Sequence, residues 1–342
     1  MRQILCLLTA LIALQNGSAD ADWPQAYRMD ANLYDICFVD AQIGWAVGDR
    51  GTILKTSDGG STWHLQSSSV DCRLESVHFL DQNHGWTVGG HTVPYTHRTL
   101  GVLLQTNDGG QTWTKQENKF LPWLTQIEFF DQQRGVAAGH CSAMYPSAVY
   151  RTADGGKHWK PCSGKTSGGI SASFTADGNG LLIERDGRLT RLDAQHLRTL
   201  SNAPLGEALA RQLYMHSATR GIICGTQGRI GLTRDGGISW SKPGNLAPDP
   251  WLAEYDWLAL AGQRQQAWIA GVPGSHVLHT DNGGKSWEVQ QTGQSLPIFA
   301  LHFIDAKHGW AVGALGTILA TTDGGTTWHP QHTGPQLSLI HI

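Results

Sequence analysis

The chain carries sixteen histidines and six cysteines in 342 residues, so metal ligation is the first chemistry to test. His91 and His97 share the segment GGHTVPYTHRTLG, and His140-Cys141 occupies the matching place further along. Zinc ligands usually come in tighter motifs such as HExxH or paired CxxC, and neither is present. The expectation is loop histidines, no metal and no cofactor. His84 and His308 each stand directly before a Gly-Trp pair, which marks a recurring turn position. Acid–base hydrolysis would need two facing carboxylates, and spacing nominates no pair among Glu75, Glu128, Glu184, Glu207, Glu254 and Glu288. There is no GxxxxGK[ST] loop, no GxGxxG after a strand and no GxSxG turn. The 25 Lys and Arg are dispersed and the net charge is −3, which leaves no footprint for nucleic acid. The residue types therefore predict a chain that is not an enzyme.

The elements that hold these residues begin with the N-terminus, MRQILCLLTALIALQNGSADA. One arginine, the apolar run Ile4 to Leu14 and the small residues Ala19 and Ala21 read as a secretory signal peptide over residues 1–21. Cys6 lies inside the apolar run, too early for a lipid-anchor cysteine, and no later stretch is long and apolar enough to span a membrane. The expected mature protein is residues 22–342 as one domain, periplasmic or secreted and monomeric. Its five cysteines, Cys37, Cys72, Cys141, Cys162 and Cys224, are an odd number for an oxidising compartment, and Cys141 with Cys162 is the most plausible pair.

The 42 glycines fall into a pattern. TSDGGSTW at 56–63 returns as TNDGGQTW, TADGGKHW, TRDGGISW, TDNGGKSW and TTDGGTTW, with its acidic position at Asp58, Asp108, Asp154, Asp235, Asn282 and Asp323. The gaps are 50, 46, 81, 47 and 41 residues, so the long one hides a repeat without its signature. The stretch TADGNGLLIERDGRLTRLDAQH at 175–196 fits the frame upstream of the other turns, with Ala194 in the Asp slot. Seven repeats result, each with four short β-type segments, such as Leu33–Val39, Gly44–Val47, Thr52–Lys55 and Thr62–Gln66. This predicts an all-β, seven-bladed β-propeller, each blade burying its neighbour's face, with the glycine-rich turn between third and fourth strands. In that turn Asp58 is expected to accept backbone N–H bonds, Gly59 and Gly60 to supply positive φ, and Trp63 to bury its ring.

The turn resembles the Asp box, or bacterial neuraminidase repeat. The longer frame, GWAVG followed by GTILKTSDGGSTW, resembles the photosystem II stability and assembly factor family over about Leu33 to Gln331. The resemblance implies an exported or lumenal propeller that binds other proteins during assembly and has no catalysis. The arginine patch it implies has no assigned counterpart, since Arg50, Arg73, Arg98, Arg134, Arg188 and Arg229 are spread along the chain. Sialidases share the Asp box but resemble a different pattern, with a Phe-Arg-Ile-Pro motif that is absent here. A sialidase-like or other carbohydrate-active enzyme or lectin, using the central pocket, is the alternative.

Where the repeats differ, binding is expected. Blade 1 joins its second and third strands by GDRG, blade 2 by GGHTVPYTHRTLG and blade 3 by AGHCSAMYPSA. The connections KFLPW into blade 3 and KPGNLAPDPWLAEYDW into blade 6 are also long. All lie on the face opposite the Asp boxes, and Tyr95, His97, Arg98, Trp123, Tyr145, Trp251 and Tyr255 are the candidate protein-binding residues, offered as exposed anchors for a protein partner such as a membrane complex or transporter. The competing expectation is that Trp123 and Trp251 cap neighbouring blades. Asp22-Trp23-Pro24-Gln25 echoes Trp328-His329-Pro330-Gln331, which suggests an N-terminal strand beside the C-terminal segment.

Overall fold

The computed structural model describes residues 30–95, 98–116, 121–201, 204–244 and 250–331. The signal-peptide segment, the echo at residues 22–25 and His97 lie outside the described residues, and of Arg98 only the backbone is described. Seven antiparallel sheets follow one another along the chain, each a meander in sequence order. They span 33–66, 73–115, 124–161, 169–201, 210–233, 256–291 and 298–330. Blade 1 has strands Leu33–Phe38, Gly44–Gly48, Ile53–Thr56 and His64–Gln66, close to the segments expected from the repeat. Blade 5 has three strands, its fourth being a single bridge between Leu232 and Ser241.

Strand period accounts for the core. The second strands are buried along their length, as in Gly44–Gly48, because both faces of each blade are covered by neighbours. The first strands share an irregularity: each skips one residue in pairing with the second strand, as between Leu33 and Asp35 or Leu74 and Ser76. Such a bulge re-aims the next side chain, here across to the neighbouring blade. Asp35 Oδ2 accepts the Val77 N–H at 2.9 Å, and Gln126 holds both the N–H and the carbonyl of Ala172 at 2.7 Å.

The Asp-box turn is a hydrogen-bond cage. Asp58 Oδ1 accepts the Thr62 N–H and the Thr56 hydroxyl at 2.8 Å, Oδ2 accepts the Thr62 hydroxyl at 2.6 Å, and Thr56 Oγ1 accepts the Gly60 N–H at 2.9 Å. Gly59 and Gly60 have φ of 73° and 98°, where a Cβ is strained. At Asn282 the amide donates to Ser286 Oγ at 2.7 Å, reversing the hydroxyl's role so that the cage survives without a charge. A second acidic set holds the turns between first and second strands: Asp40, Asp81, Asp131 and Asp305 each accept two backbone N–H bonds, and Asp81 and Asp305 also hold His84 and His308 at 2.9 and 2.8 Å. Replacing Asp58 by Ala is expected to lower stability by about 1–2 kcal/mol, a few net hydrogen bonds' worth, with partner binding on the opposite face intact. Thermal unfolding beside a binding titration checks this, and equal loss of both would contradict a purely structural turn.

The Gly-Trp tryptophans act between blades. Trp45 stacks on Phe79 of blade 2 at 3.5 Å between ring centroids and donates to the Gly109 carbonyl at 3.2 Å, while Trp113 meets the other side of Phe79 edge-on. The same Trp–Phe–Trp arrangement recurs with Trp86, Phe129 and Trp159, with Trp268, Phe303 and Trp328, and with Trp310, Phe38 and Trp63. The last closes the ring, since Trp310 is in blade 7 and donates to Gly59 O of blade 1 at 2.9 Å. Among the described residues blade 7 is built from strands of the C-terminal repeat in sequence order, and its first strand lies beside that of blade 1.

Candidate protein-binding face

Antiparallel meanders place the turns between second and third strands, and the connections between blades, on the face opposite the Asp boxes. In blade 2 this turn is a raised hairpin, Gly85–Val93 paired with Arg98–Thr106. Its base is crossed by Trp123: a Cβ on Gly90 would stand 2.8 Å from Trp123 Cγ, so glycine is needed for the approach. Trp123 stacks on His140 at 5.3 Å and donates from Nε1 to Glu75 Oε1 at 3.0 Å. Glu75 Oε2 pairs with Arg73 at 2.9 Å, and the Arg73 guanidinium lies 3.5 Å above the Tyr34 ring, which stacks on Phe299. Four blades are thus joined around the channel mouth by one chain of rings and charges. Burial raises the Glu75 carboxyl, and burial with Arg185 and Arg73 nearby pushes His140 down to about 4, leaving the imidazole neutral.

The expected anchors separate. Tyr95 is fully exposed at the hairpin tip. Tyr145 and Tyr255 are 5% and 4% exposed, which corrects their assignment as exposed anchors. Tyr145 is folded back by its bonds with Ser142, and the Tyr255 hydroxyl is held by Ser275 and His276. Trp251 packs on Tyr255 and His276, and Trp123 on His140, both partly buried, as the capping alternative expects. Trp123 and Tyr95 sit on neighbouring blades 2 and 3, whereas Trp251 and Tyr255 form a separate cluster before blade 6. Cys37, Cys72, Cys141, Cys162 and Cys224 are all free, which corrects the expected Cys141–Cys162 pair.

Large apolar side chains left in water mark this face. Among the described residues Tyr95, Leu100, Met144, Leu209, Val272, Leu296 and Leu315 are exposed on these loops, against Ile238 and Val289 elsewhere. Sequence reasoning missed all but Tyr95, although Leu100 and Met144 stand inside the two insertions it singled out.

The central channel is a cavity of about 480 Å³ lined by the first strands. Burial pushes Asp35 up to about 6 and Glu128 up to about 7, and pushes His78 and His302 down to about 4. His302 Nε2 lies 3.1 Å from the Phe38 carbonyl, a bond between blades. Asp35 is engaged by two backbone N–H groups, and it and Glu128 stand two blades apart, neither contributing to the other's shift. Glu75, the third acid lining the channel, is held by Trp123 and Arg73, and no cluster of three or more His, Cys, Asp or Glu suited to a metal occurs among the described residues.

Two similar proteins are named as assembly factors. One is the chloroplastic photosystem II stability/assembly factor HCF136 of Cyanidioschyzon merolae, 29% identical over 87% of this chain and 74% of its own length. The other is the photosystem II assembly lipoprotein Ycf48 of Synechococcus sp. (strain CC9902), 28% identical over 84% of each chain. The fold matches a solved structure of YCF48 bound to D1 peptide, with a TM-score of 0.68 at 20% identity over 86% of this chain and 94% of that one. The family model described as Photosynthesis system II assembly factor YCF48 matches residues 16–188 and 203–300, and the chain belongs to that family.

Proposed function

We propose that this protein is an exported, non-catalytic assembly factor that holds a polypeptide segment of a membrane complex on the loop face of its propeller. The observation that carries this is the concentration of exposed apolar side chains there, with Tyr95, Leu100 and Met144 on adjacent blades. Scattered exposed apolar residues need no explanation, but a set concentrated on one face of a rigid scaffold marks an interaction surface. The Asp-box turns are short, polar and held by their own carboxylates, with Ile238 the one exposed large apolar side chain on them among the described residues. The names of the relatives, and the D1 peptide bound to the similar solved YCF48, favour a polypeptide partner over a glycan. No cofactor is needed for such binding, and residues 1–21 would be removed on export.

Replacing Tyr95, Leu100 and Met144 together by Ser is expected to weaken binding of a labelled D1 peptide at least tenfold, read by fluorescence anisotropy, with Tm within a degree or two of the parent. Tyrosine and large apolar anchors dominate such interfaces, and each exposed residue contributes little to folding. Undiminished affinity would move the site off this face, and failure of the parent to bind any tested peptide would remove the polypeptide partner.

A further inference from the structure

Blade 4 lacks the Asp box, and this leaves a hole. Its outer turn is the two residues Ala194 and Gln195, with Asp193 paired to His196, in place of the longer turn and its tryptophan. On the facing blade the Gly-Trp position reads Gly135-Val136. Both indoles that fill the interface between blades 1 and 2 are therefore missing between blades 3 and 4. The result is a cavity of about 390 Å³ opening on the Asp-box side, within the range of small-ligand sites. Its apolar wall is Phe130, Val136, Pro161 and Cys162.

The same loss removes a charge. In blade 1 the third-strand Lys55 donates to Gly109 O at 2.8 Å and is attracted by the Asp108 carboxylate of the next blade. Arg151 holds the corresponding position in blade 3 and donates to Gly178 O at 2.6 Å, but the next blade has Ala194 where the carboxylate belongs. No carboxylate stands within ion-pair distance of Arg151 or of Lys160 at the rim, among the described residues. The acids that face the cavity are taken: Asp154 by Thr152 and His158, Asp177 by Thr175 and Asn179. Arg134, also at the rim, is paired with Asp131.

The geometry points to a binding site for a small aromatic carboxylate, the ring filling the space of the absent indole and the carboxylate meeting Arg151 and Lys160. A planar fork on a half-buried arginine is suited to a carboxylate, and a slot walled by apolar groups to a flat ring. The site lies on the opposite side from the proposed protein-binding face and does not depend on that reading.

The test uses indole-3-acetate as probe, with indole and acetate as separate controls, in calorimetric titrations of the intact protein. Saturable binding of the acid, at least tenfold tighter than either control, is expected. Ala194→Asp restores the missing carboxylate at an exposed turn, on a residue whose N–H already bonds the same Asn179 Oδ1 that Arg151 approaches. It is expected to weaken the acid at least tenfold. Val136→Trp should abolish binding while leaving Tm equal or higher, because it restores the ring used by four other blades. No saturable binding by the parent, or full affinity in both variants, would overturn the proposal.

Discussion

Trp310→Ala is expected to destabilise the protein by about 4 kcal/mol, in the range for truncating a buried tryptophan. The side chain is 3% exposed, stacks on Phe38 at 3.5 Å and donates to Gly59 O at 2.9 Å, so truncation removes a ring contact and a hydrogen bond and leaves a cavity. Trp45→Ala removes the same contacts between blades 1 and 2 and should cost a similar amount at equilibrium. The two should differ in where the protein opens. Blades 1 and 2 are also joined by the chain, whereas blades 7 and 1 meet through side chains and a few backbone bonds such as Gly316 N–H to Ala31 O. In a repeat array stability is the sum of unit and interface terms, so a weakened closing interface frees the two end blades first. Hydrogen exchange should show early opening of blades 1 and 7 in Trp310→Ala only. A denaturant-measured loss below about 1.5 kcal/mol, or identical exchange maps, would refute the clamp.

Glu128→Gln is expected to stabilise the protein at alkaline pH and to do nothing at acid pH. Burial without a hydrogen-bond partner among the described residues pushes the folded-state carboxyl up to about 7, whereas the unfolded chain titrates near 4.5. The folded state then binds more protons between those values, so this group's penalty grows as pH rises from about 4.5 to 7 and is constant above. A tenfold change in proton affinity between the folded and unfolded states is worth about 1.4 kcal/mol, so the amide should gain on the order of 3 kcal/mol at pH 8. His78 and His302, pushed down to about 4, act in the opposite sense, losing stability as pH falls from about 6.5 to 4. Subtracting the two proteins' stability profiles cancels the histidines. A difference that is flat in pH would mean that Glu128 ionises normally in the channel.

The strands were legible because the Asp box is a local device: its carboxylate, glycines and hydroxyls bond within one turn, and the turn fixes the register on both sides. Even blade 4 could be found, since Gly180 and Gly187 keep the frame after the box is lost. The clamp was not read, because Trp45 acts on Phe79 and Gly109 of the following repeat. A signal existed: the tryptophans of blades 1, 2, 6 and 7 are each followed, one repeat on, by Phe79, Phe129, Phe303 and Phe38 at the end of the first strand. Loop burial was legible as an alternative for Trp123 and Trp251 and not for the tyrosines. Tyr145 and Tyr255 sit in insertions that look solvent-facing in sequence, and their burial depends on partners such as Ser142 and His276 that no periodicity links to them.

A chain made from its N-terminus completes blade 1 long before Trp310 exists. Until the last repeat emerges, Phe38 has only the edge contact with Trp63 of its own blade, the face that Trp310 stacks on and the Gly59 carbonyl stay uncovered, and the first blade presents an unfinished side. Ring closure therefore cannot precede synthesis of the last repeat, and a truncated product lacking that repeat would leave an apolar edge bare for quality control to recognise.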